Sequence, residues 1–352
     1  MIYTIPVAKP NIGELEKKYV LSALEQNEIS SQGDYIKQFE NLFSEKHKAQ
    51  FGVACSSGTT ALTLSLASLG IKEGDEVIVP DFTMIATAWA VSYLGAKPVF
   101  VDCDDRLCID VDKIEEAITP KTKVIIPVHI YGRVCNMDRI LEIARDYNLK
   151  VVEDSCEAIS TPVRGDIACF SLYANKIITS GEGGICITNN DNLAWQMRHL
   201  RSMSFAPGHT FLHPKLGYNF RMTNMQGAVA LAQTERLEEF IEKRKQIEEW
   251  YNKYLKNTPG VYKPKERNVL WMFDILVEDR EELIKYLEGK GIETRLFFKP
   301  MTSQPMYRQE RMGSMSSDAS RHGLYLPTFT DLTEDQVKFI SEKIKEFYES
   351  QI

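Results

Sequence analysis

The sequence predicts an α/β protein whose large domain carries a mostly parallel sheet flanked by helices, followed by a smaller C-terminal α+β domain. Three observations lead there. Short β-branched runs recur with helical segments between them, those runs read as strands buried on both faces, and near Leu231 the pattern gives way to a long charged stretch.

The elements follow in order. "FGVACSSGTTAL" gives a strand ending near Cys55 and then a helix of small residues. "DEVIVPD" is a buried strand, and "TMIATAWAVSYLG" is the helix after it. "KPVFVDCD", "TKVIIPVHI" and "LKVVEDS" repeat the strand pattern, with "MDRILEIARDYN" an amphipathic helix before the last. Ser57, Asp81, Asp102, His129 and Asp154 stand just after these strands. All five therefore fall at the carboxyl edge, where sheets of this kind bind ligands.

From about Leu231, "AQTERLEEFIEKRKQIEEWYNKYL" reads as one long charged helix. A strand-like "VLWMFDILV" and a helix "REELIKYLEGKG" follow, then a final helix opened by a capping box from Thr333 to Gln336. The division is residues 1–235 for the large domain, N-terminal segment included, and 236–352 for the long helix and the small domain.

Composition narrows the function. With 352 residues, 43% of them hydrophobic and 26% charged, the chain has a sizeable core. A formal net charge of −7 argues against a nucleic-acid binder, whose phosphate contacts show as a basic surplus, so anionic ligands must be held locally. Seven cysteines without a CxxC pair, set in or beside apolar runs, read as buried reduced thiols rather than disulfides or a metal site. The N-terminal stretch has a proline and charges where a signal peptide needs a continuous apolar run, and no run approaches membrane-spanning length. The expectation is a cytoplasmic protein with no membrane partner.

Three features carry chemistry. "SSGTTAL" sets a glycine and hydroxyl residues between a strand and a helix, so the amides of Gly58 and Thr59 can meet an anion at the positive end of the helix dipole. A plain N-cap has the same look. The stretch is no P-loop, lacking the Gly-Lys-Ser/Thr ending, and no GxGxxG follows an early strand, which disfavours a dinucleotide. Asp154 ends a hydrophobic run, as a helix cap or as a fixed negative charge. Lys176 lies in "FSLYANKIITSGEGGICIT", between two apolar, strand-like runs and beside a glycine-rich turn. A half-buried ammonium is costly, so the side chain either reaches solvent or is tied covalently to something. An imine-forming amine with a carboxylate for a pyridinium nitrogen is the protein's share of pyridoxal phosphate chemistry.

Ten stretches, in order and over almost the full length, resemble the DegT/DnrJ/EryC1/StrS family of sugar aminotransferases. They include "IPVAKPNIGELE", "ISSQGDYIKQFE", "SSGTTAL", "VPDFTMIAT", "PVHIYG", "VVEDSCEA", "FSLYANKIITSGEGG", "HPKLGYNFRMTNMQGAVALAQ" and "IETRLFFKPM". The resemblance implies a fold type I aminotransferase using pyridoxal 5'-phosphate, with pyridoxamine 5'-phosphate between its two half-reactions. L-Glutamate would be the donor and a nucleotide-linked keto sugar the acceptor, in a homodimer with shared active sites. Lys176 corresponds to the Schiff-base lysine, and Asp154 to the partner of the pyridine nitrogen. Glu157 corresponds to a residue near the cofactor's 3-hydroxyl, where the family often has glutamine. Ser171, with the Gly58 and Thr59 amides, would hold the phosphate, and Asn219 would reach it from the neighbouring subunit. His213 and Arg295 fall on the substrate side.

The "GEGG" turn resembles the branch that aminates C4 of a 4-keto-6-deoxyhexose to a viosamine- or perosamine-type sugar; C3-acting relatives more often read "GDGG" or "GDAG". Dehydratases of the family usually have histidine in place of the lysine, and a non-catalytic regulator would have Lys176 or Asp154 lost. Two departures stand out. Met84 occupies a position where many relatives stack an aromatic on the pyridine ring, and "AISTPVRG", residues 158–165, is shorter than the usual segment. The motifs leave UDP, dTDP and GDP open, as well as gluco or manno stereochemistry.

Overall fold

The computed structural model describes residues 3–208, 211–263, 266–309 and 314–350. Helices α1 (Glu14–Glu25) and α2 (Asp34–Lys46) come first. Strands and helices then alternate as β1 (Phe51–Cys55), α3 (Gly58–Ser68), β2 (Glu76–Pro80), α4 (Ile85–Ser92), β3 (Lys97–Val101), β4 (Thr122–Ile125), α5 (Met137–Asp146), β5 (Lys150–Asp154), β6 (Ile167–Ser171) and β7 (Gly184–Thr188). They form a seven-stranded sheet in the order β1-β7-β6-β5-β4-β2-β3. β2 to β6 pair in parallel, and β7 lies antiparallel between β1 and β6. Successive side chains of a strand point to opposite faces, and here both faces are apolar. On β2, Ile78 joins one core cluster while Val77 and Val79 join the other. That double burial is why the strands read as unbroken hydrophobic runs.

Next come α6 (Asp191–Arg201), α7 (Asn224–Glu235) and α8 (Leu237–Tyr254). The single long helix expected from the charge pattern is therefore two helices, broken at Arg236, whose ψ of 9° leaves the helical region. Glu16 of α1, 1% exposed, gathers the residues at the break: Gln233 donates to it at 2.6 Å and Arg236 pairs with it at 3.0 Å. A buried carboxylate needs such partners, and its position on α1 is invisible in the local sequence of the helix.

The remaining elements are β8 (Val261–Tyr262), β9 (Phe273–Val277), α9 (Arg280–Gly289), β10 (Arg295–Leu296), α10 (Met315–His322), β11 (Gly323–Leu326) and α11 (Glu334–Glu349). An antiparallel sheet in the order β10-β11-β9-β8 packs with α8, α9 and α11 around a separate core that includes Ile247, Leu283 and Ile344. The capping box at Thr333 and Gln336 is present. Only the second half of "VLWMFDILV" is strand. Its first half is pinned to the large sheet's loops, where the amides of Asn268 and Val269 donate to the Gly132 carbonyl at 2.9 and 3.2 Å. Ile5 bridges Ile292, and Thr328 donates its amide to Val7, so the N-terminal segment lies against the small sheet's connections.

Two of the strand-end carboxylates serve structure. Asp81, after β2, accepts from the amide and hydroxyl of Thr302 at 2.8 and 3.0 Å. Asp102, after β3, accepts from the amide and hydroxyl of Ser316 at 3.0 and 2.5 Å. Both clasp the segment between β10 and β11. His129, fully buried, meets Glu153 at 3.0 Å. All seven cysteines are free thiols. Among the described residues no helix is long and apolar enough to cross a membrane, and no cluster of His, Cys, Asp and Glu could hold a metal.

Candidate active site

The ends of β5 and β6 and the turn from β1 into α3 open on one cavity of about 400 Å³. Gly58, Thr59, Met84, Asp154, Glu157, Ser171, Lys176 and Arg295 all line it.

The α3 turn is a helix cap with amides left over at the cavity. Ser57 accepts from the Thr60 amide at 3.1 Å, and Thr60 returns the bond by accepting from the Ser57 amide at 2.9 Å. The amides of Gly58 and Thr59 have no acceptor among the described residues and lie at the cavity wall. Glycine is required at position 58, because a Cβ there would come 2.8 Å from the Cβ of Ser171. Two unpaired amides at a helix N-terminus beside a serine hydroxyl suit a phosphate group.

Asp154 is 4% exposed. Its Oδ2 accepts from the Thr87 hydroxyl at 2.8 Å and its Oδ1 from the Cys156 amide at 3.1 Å. Among the described residues no cation pairs with it, so its charge is available to the cavity. The backbone on either side is anchored to the neighbouring strand's loop, through Pro127 and His129.

Lys176 sits in the β6–β7 connection, half-buried as its surroundings predict. Its amide donates to the Tyr173 carbonyl at 2.9 Å, and its Nζ lies 4.0 Å from the centre of the Trp271 ring. No carboxylate among the described residues forms an ion pair with it. The turn that follows is tight against α3: a Cβ on Gly184 would come 2.3 Å from the Ser57 carbonyl oxygen.

Glu157, 5% exposed, accepts from the Tyr131 amide at 2.8 Å. Tyr131 takes a left-handed φ of 49°, followed by Gly132 at φ 82°, which aims that amide at the carboxylate. Burial pushes the Glu157 carboxyl up to about 7, against the pull of the Lys176 ammonium and the Tyr131 amide. The cofactor-free folded chain thus holds a proton that the unfolded chain releases near 4.5. Its stability should fall as pH rises between those two values. Denaturant unfolding across that window should show this slope, and Glu157→Gln should remove it; an unchanged slope in the variant would contradict the burial argument.

Met84, 47% exposed, stands at the N-cap of α4 and covers one wall. Arg295 on β10 carries the small sheet to the rim and pairs with Glu293 at 3.1 Å. Two expected residues are elsewhere. His213 is exposed, with its Nδ1 at 2.6 Å from the Met203 carbonyl oxygen, and Asn219 is exposed in a bridge with Ser202. Neither lines the cavity of its own chain. The shortened 158–165 segment supplies the Arg164 and Gly165 amides to Glu153 at 2.7 and 2.6 Å.

Sequence reasoning missed Thr87, Asn175 and Trp271. Thr87 lies within the quoted "TMIAT" but faces Asp154 only once α4 is docked. The side-chain oxygen of Asn175 is buried with no hydrogen-bond partner among the described residues, and Trp271 sat in a run read as strand. An amine, a carboxylate lacking a cation and paired free amides on one cavity fit pyridoxal phosphate, which offers an aldehyde, a basic ring nitrogen and a phosphate.

The family model described as the DegT/DnrJ/EryC1/StrS aminotransferase family matches residues 10–345. The chain is 41% identical over 358 residues to a GDP-perosamine synthase of Escherichia coli O157:H7, with 98% of each chain covered. It is 42% identical over 353 residues to the GDP-perosamine synthase of Caulobacter vibrioides, with 95% of each covered. Among solved structures, S. venezuelae DesV in complex with a ketimine intermediate aligns with a TM-score of 0.89 at 30% identity, covering 95% of this chain and 94% of that one.

Proposed function

The chain belongs to the DegT/DnrJ/EryC1/StrS aminotransferase family, and from that premise we propose that it transfers an amino group from L-glutamate to C4 of a nucleotide-linked 4-keto-6-deoxyhexose. It is a pyridoxal-phosphate-dependent sugar aminotransferase. The C4 assignment is supported by the "GEGG" turn and by likeness to two GDP-perosamine synthases across nearly the whole chain. The observation that carries the site assignment is that Lys176, Asp154 and the free amides of Gly58 and Thr59 line one cavity.

Bound pyridoxal phosphate supplies an aldehyde that joins amines and a ring that accepts the electrons left when a neighbouring carbon loses its proton. The protein's residues do the rest. Lys176 would hold the cofactor through its Nζ, and the same Nζ, when free, would serve as the base that moves a proton between two carbons. Asp154, fixed by Thr87 and the Cys156 amide, keeps the ring nitrogen protonated by its negative charge. Gly58, Thr59 and Ser171 hold the phosphate. Met84 covers the ring with a thioether in place of an aromatic, Glu157 faces the 3-hydroxyl, and Arg295 meets the anionic substrate.

We assign Asn219 and His213 to the cavity of a second copy. Their exposure on one chain, away from its own cavity, supports a homodimer with shared sites. Asn219→Ala should then weaken cofactor retention on dialysis without lowering the thermal midpoint of the cofactor-free protein. A monomer by sedimentation with full activity and cofactor occupancy would refute the shared site.

The substrate is tested with a panel of UDP-, dTDP- and GDP-linked 4-keto-6-deoxy sugars plus glutamate, following 2-oxoglutarate release and locating the new amine by NMR. One preferred sugar aminated at C4 is expected. Amination at C3, or no release with any member, would overturn the assignment.

A further inference from the structure

Trp271 has more order around it than a core tryptophan needs. It is 3% exposed, and its Nε1 donates at 3.0 Å to the carbonyl oxygen of Asn175, the residue before Lys176. Arg244 donates to the carbonyl oxygen of Trp271, Arg267 donates to that of Met272 at 2.8 Å, and the indole stacks on Tyr131 at 5.9 Å between centroids. These bonds present the indole face to Lys176, whose Nζ stands 4.0 Å from the ring centroid. An aromatic face carries negative potential and attracts an ammonium most strongly where water is excluded, with tryptophan the best of the rings. Among the described residues no carboxylate forms a direct ion pair with the amine, and the indole face is the contact it makes instead.

Resting on the assignment of Lys176 as the cofactor lysine, we propose that Trp271 is a positioning residue that docks the freed Lys176 ammonium on its indole face during proton transfer. The amine, once displaced, takes a proton from a substrate or cofactor carbon, and the electron pair of that C–H bond passes into the conjugated ring. The resulting ammonium rests on the indole and delivers the same proton to the second carbon, returning to neutral amine. No proton or electron is gained overall. Asn175 ties the lysine's backbone to the same indole, so ring and amine keep their spacing. The other charged or titratable residues lining the cavity with the amine are Asp154, Cys156, Glu157, Tyr173, Glu182, Arg295 and Tyr325, and the test leaves all of them in place.

The chain has four tryptophans, and among the described residues only Trp271 lies under a lysine. Growth on tetrafluorotryptophan therefore weakens this ring's negative face while nearly keeping its shape. Cofactor-free protein is treated with trace acetic anhydride, and acetylation at Lys176 is counted by mass spectrometry from pH 7 to 10.5. At pH 7.5 the fluorinated protein should label several-fold faster than the normal one, and Trp271→Leu roughly tenfold faster, the size expected of a desolvated cation–π contact. Both gaps should close toward pH 10.5. Equal labelling at pH 7.5 would overturn the proposal, as would a gap constant with pH, which reports only a wider opening. Borohydride reduction of the cofactor-loaded protein separates the two assignments. Cofactor fixed at another residue refutes the role of Lys176 itself, whereas fixation at Lys176 with labelling indifferent to fluorination refutes Trp271 alone.

Discussion

Lys176→Ala is expected to abolish turnover while leaving a folded protein that still takes up pyridoxal phosphate. On the proposed assignment the amine has two duties, holding the cofactor and moving the proton, and both end with its removal. Loss of a general base alone typically costs about 10² to 10⁴ in rate, so a fall of at least about 10³ is expected once the nucleophile is lost as well. The fold should survive, because among the described residues no carboxylate pairs with this side chain, and truncation strands no buried charge. Asp154, Ser171 and the amides of Gly58 and Thr59 would still hold the cofactor, more weakly. The variant should lack the yellow colour of the lysine-bound form, and borohydride should no longer attach the cofactor to the peptide containing residue 176. Given the amino-sugar product, it should join it to the cofactor and stop there. Turnover within a few-fold of wild type would mean that Lys176 is a solvent-facing lysine beside a glycine turn and nothing more.

Asp154→Asn should keep the fold and lose most of the rate, roughly 10²-fold or more on the scale of removing one preorganised electrostatic group. Asparagine has nearly the same shape and can still accept the hydrogen bond from the Thr87 hydroxyl. What it lacks is the charge that, on the proposed assignment, favours a protonated ring nitrogen, a proton on which both half-reactions would depend. Single-turnover measurements of each half-reaction in fully loaded variant should therefore fall together. Near-normal rates in either would count against the assignment.

The large sheet was legible because a strand buried on both faces leaves an apolar run, and each run ended in a polar residue that marks the carboxyl edge. The candidate site was legible where the chain itself brings reactive groups to that edge: Lys176 between β6 and β7, Asp154 at the end of β5, Gly58 and Thr59 at the start of α3. What stayed hidden depends on distant partners. Asp81 and Asp154 look alike in sequence, each a carboxylate after a buried strand, yet Thr302 claims the first and the cavity keeps the second. Trp271 read as part of a strand because nothing near it shows that Gly132 pins the preceding residues. The break at Arg236 depends on Glu16, far away on α1. Asn219 and His213 drew attention through the family's motifs, and nothing within one chain brings them to the cavity.

The clasps at Asp81 and Asp102 also bear on the order in which the molecule comes together. They join residues 221 and 214 positions apart, and contacts of such separation form slowly because a long loop must close before they repay it. On the ribosome, the carboxyl ends of β2 and β3 must wait for Thr302 and Ser316 to emerge before these two clasps can close. A chain released near residue 236 would keep every strand of the large sheet and lack both clasps, so the segment that follows is expected to complete that edge late.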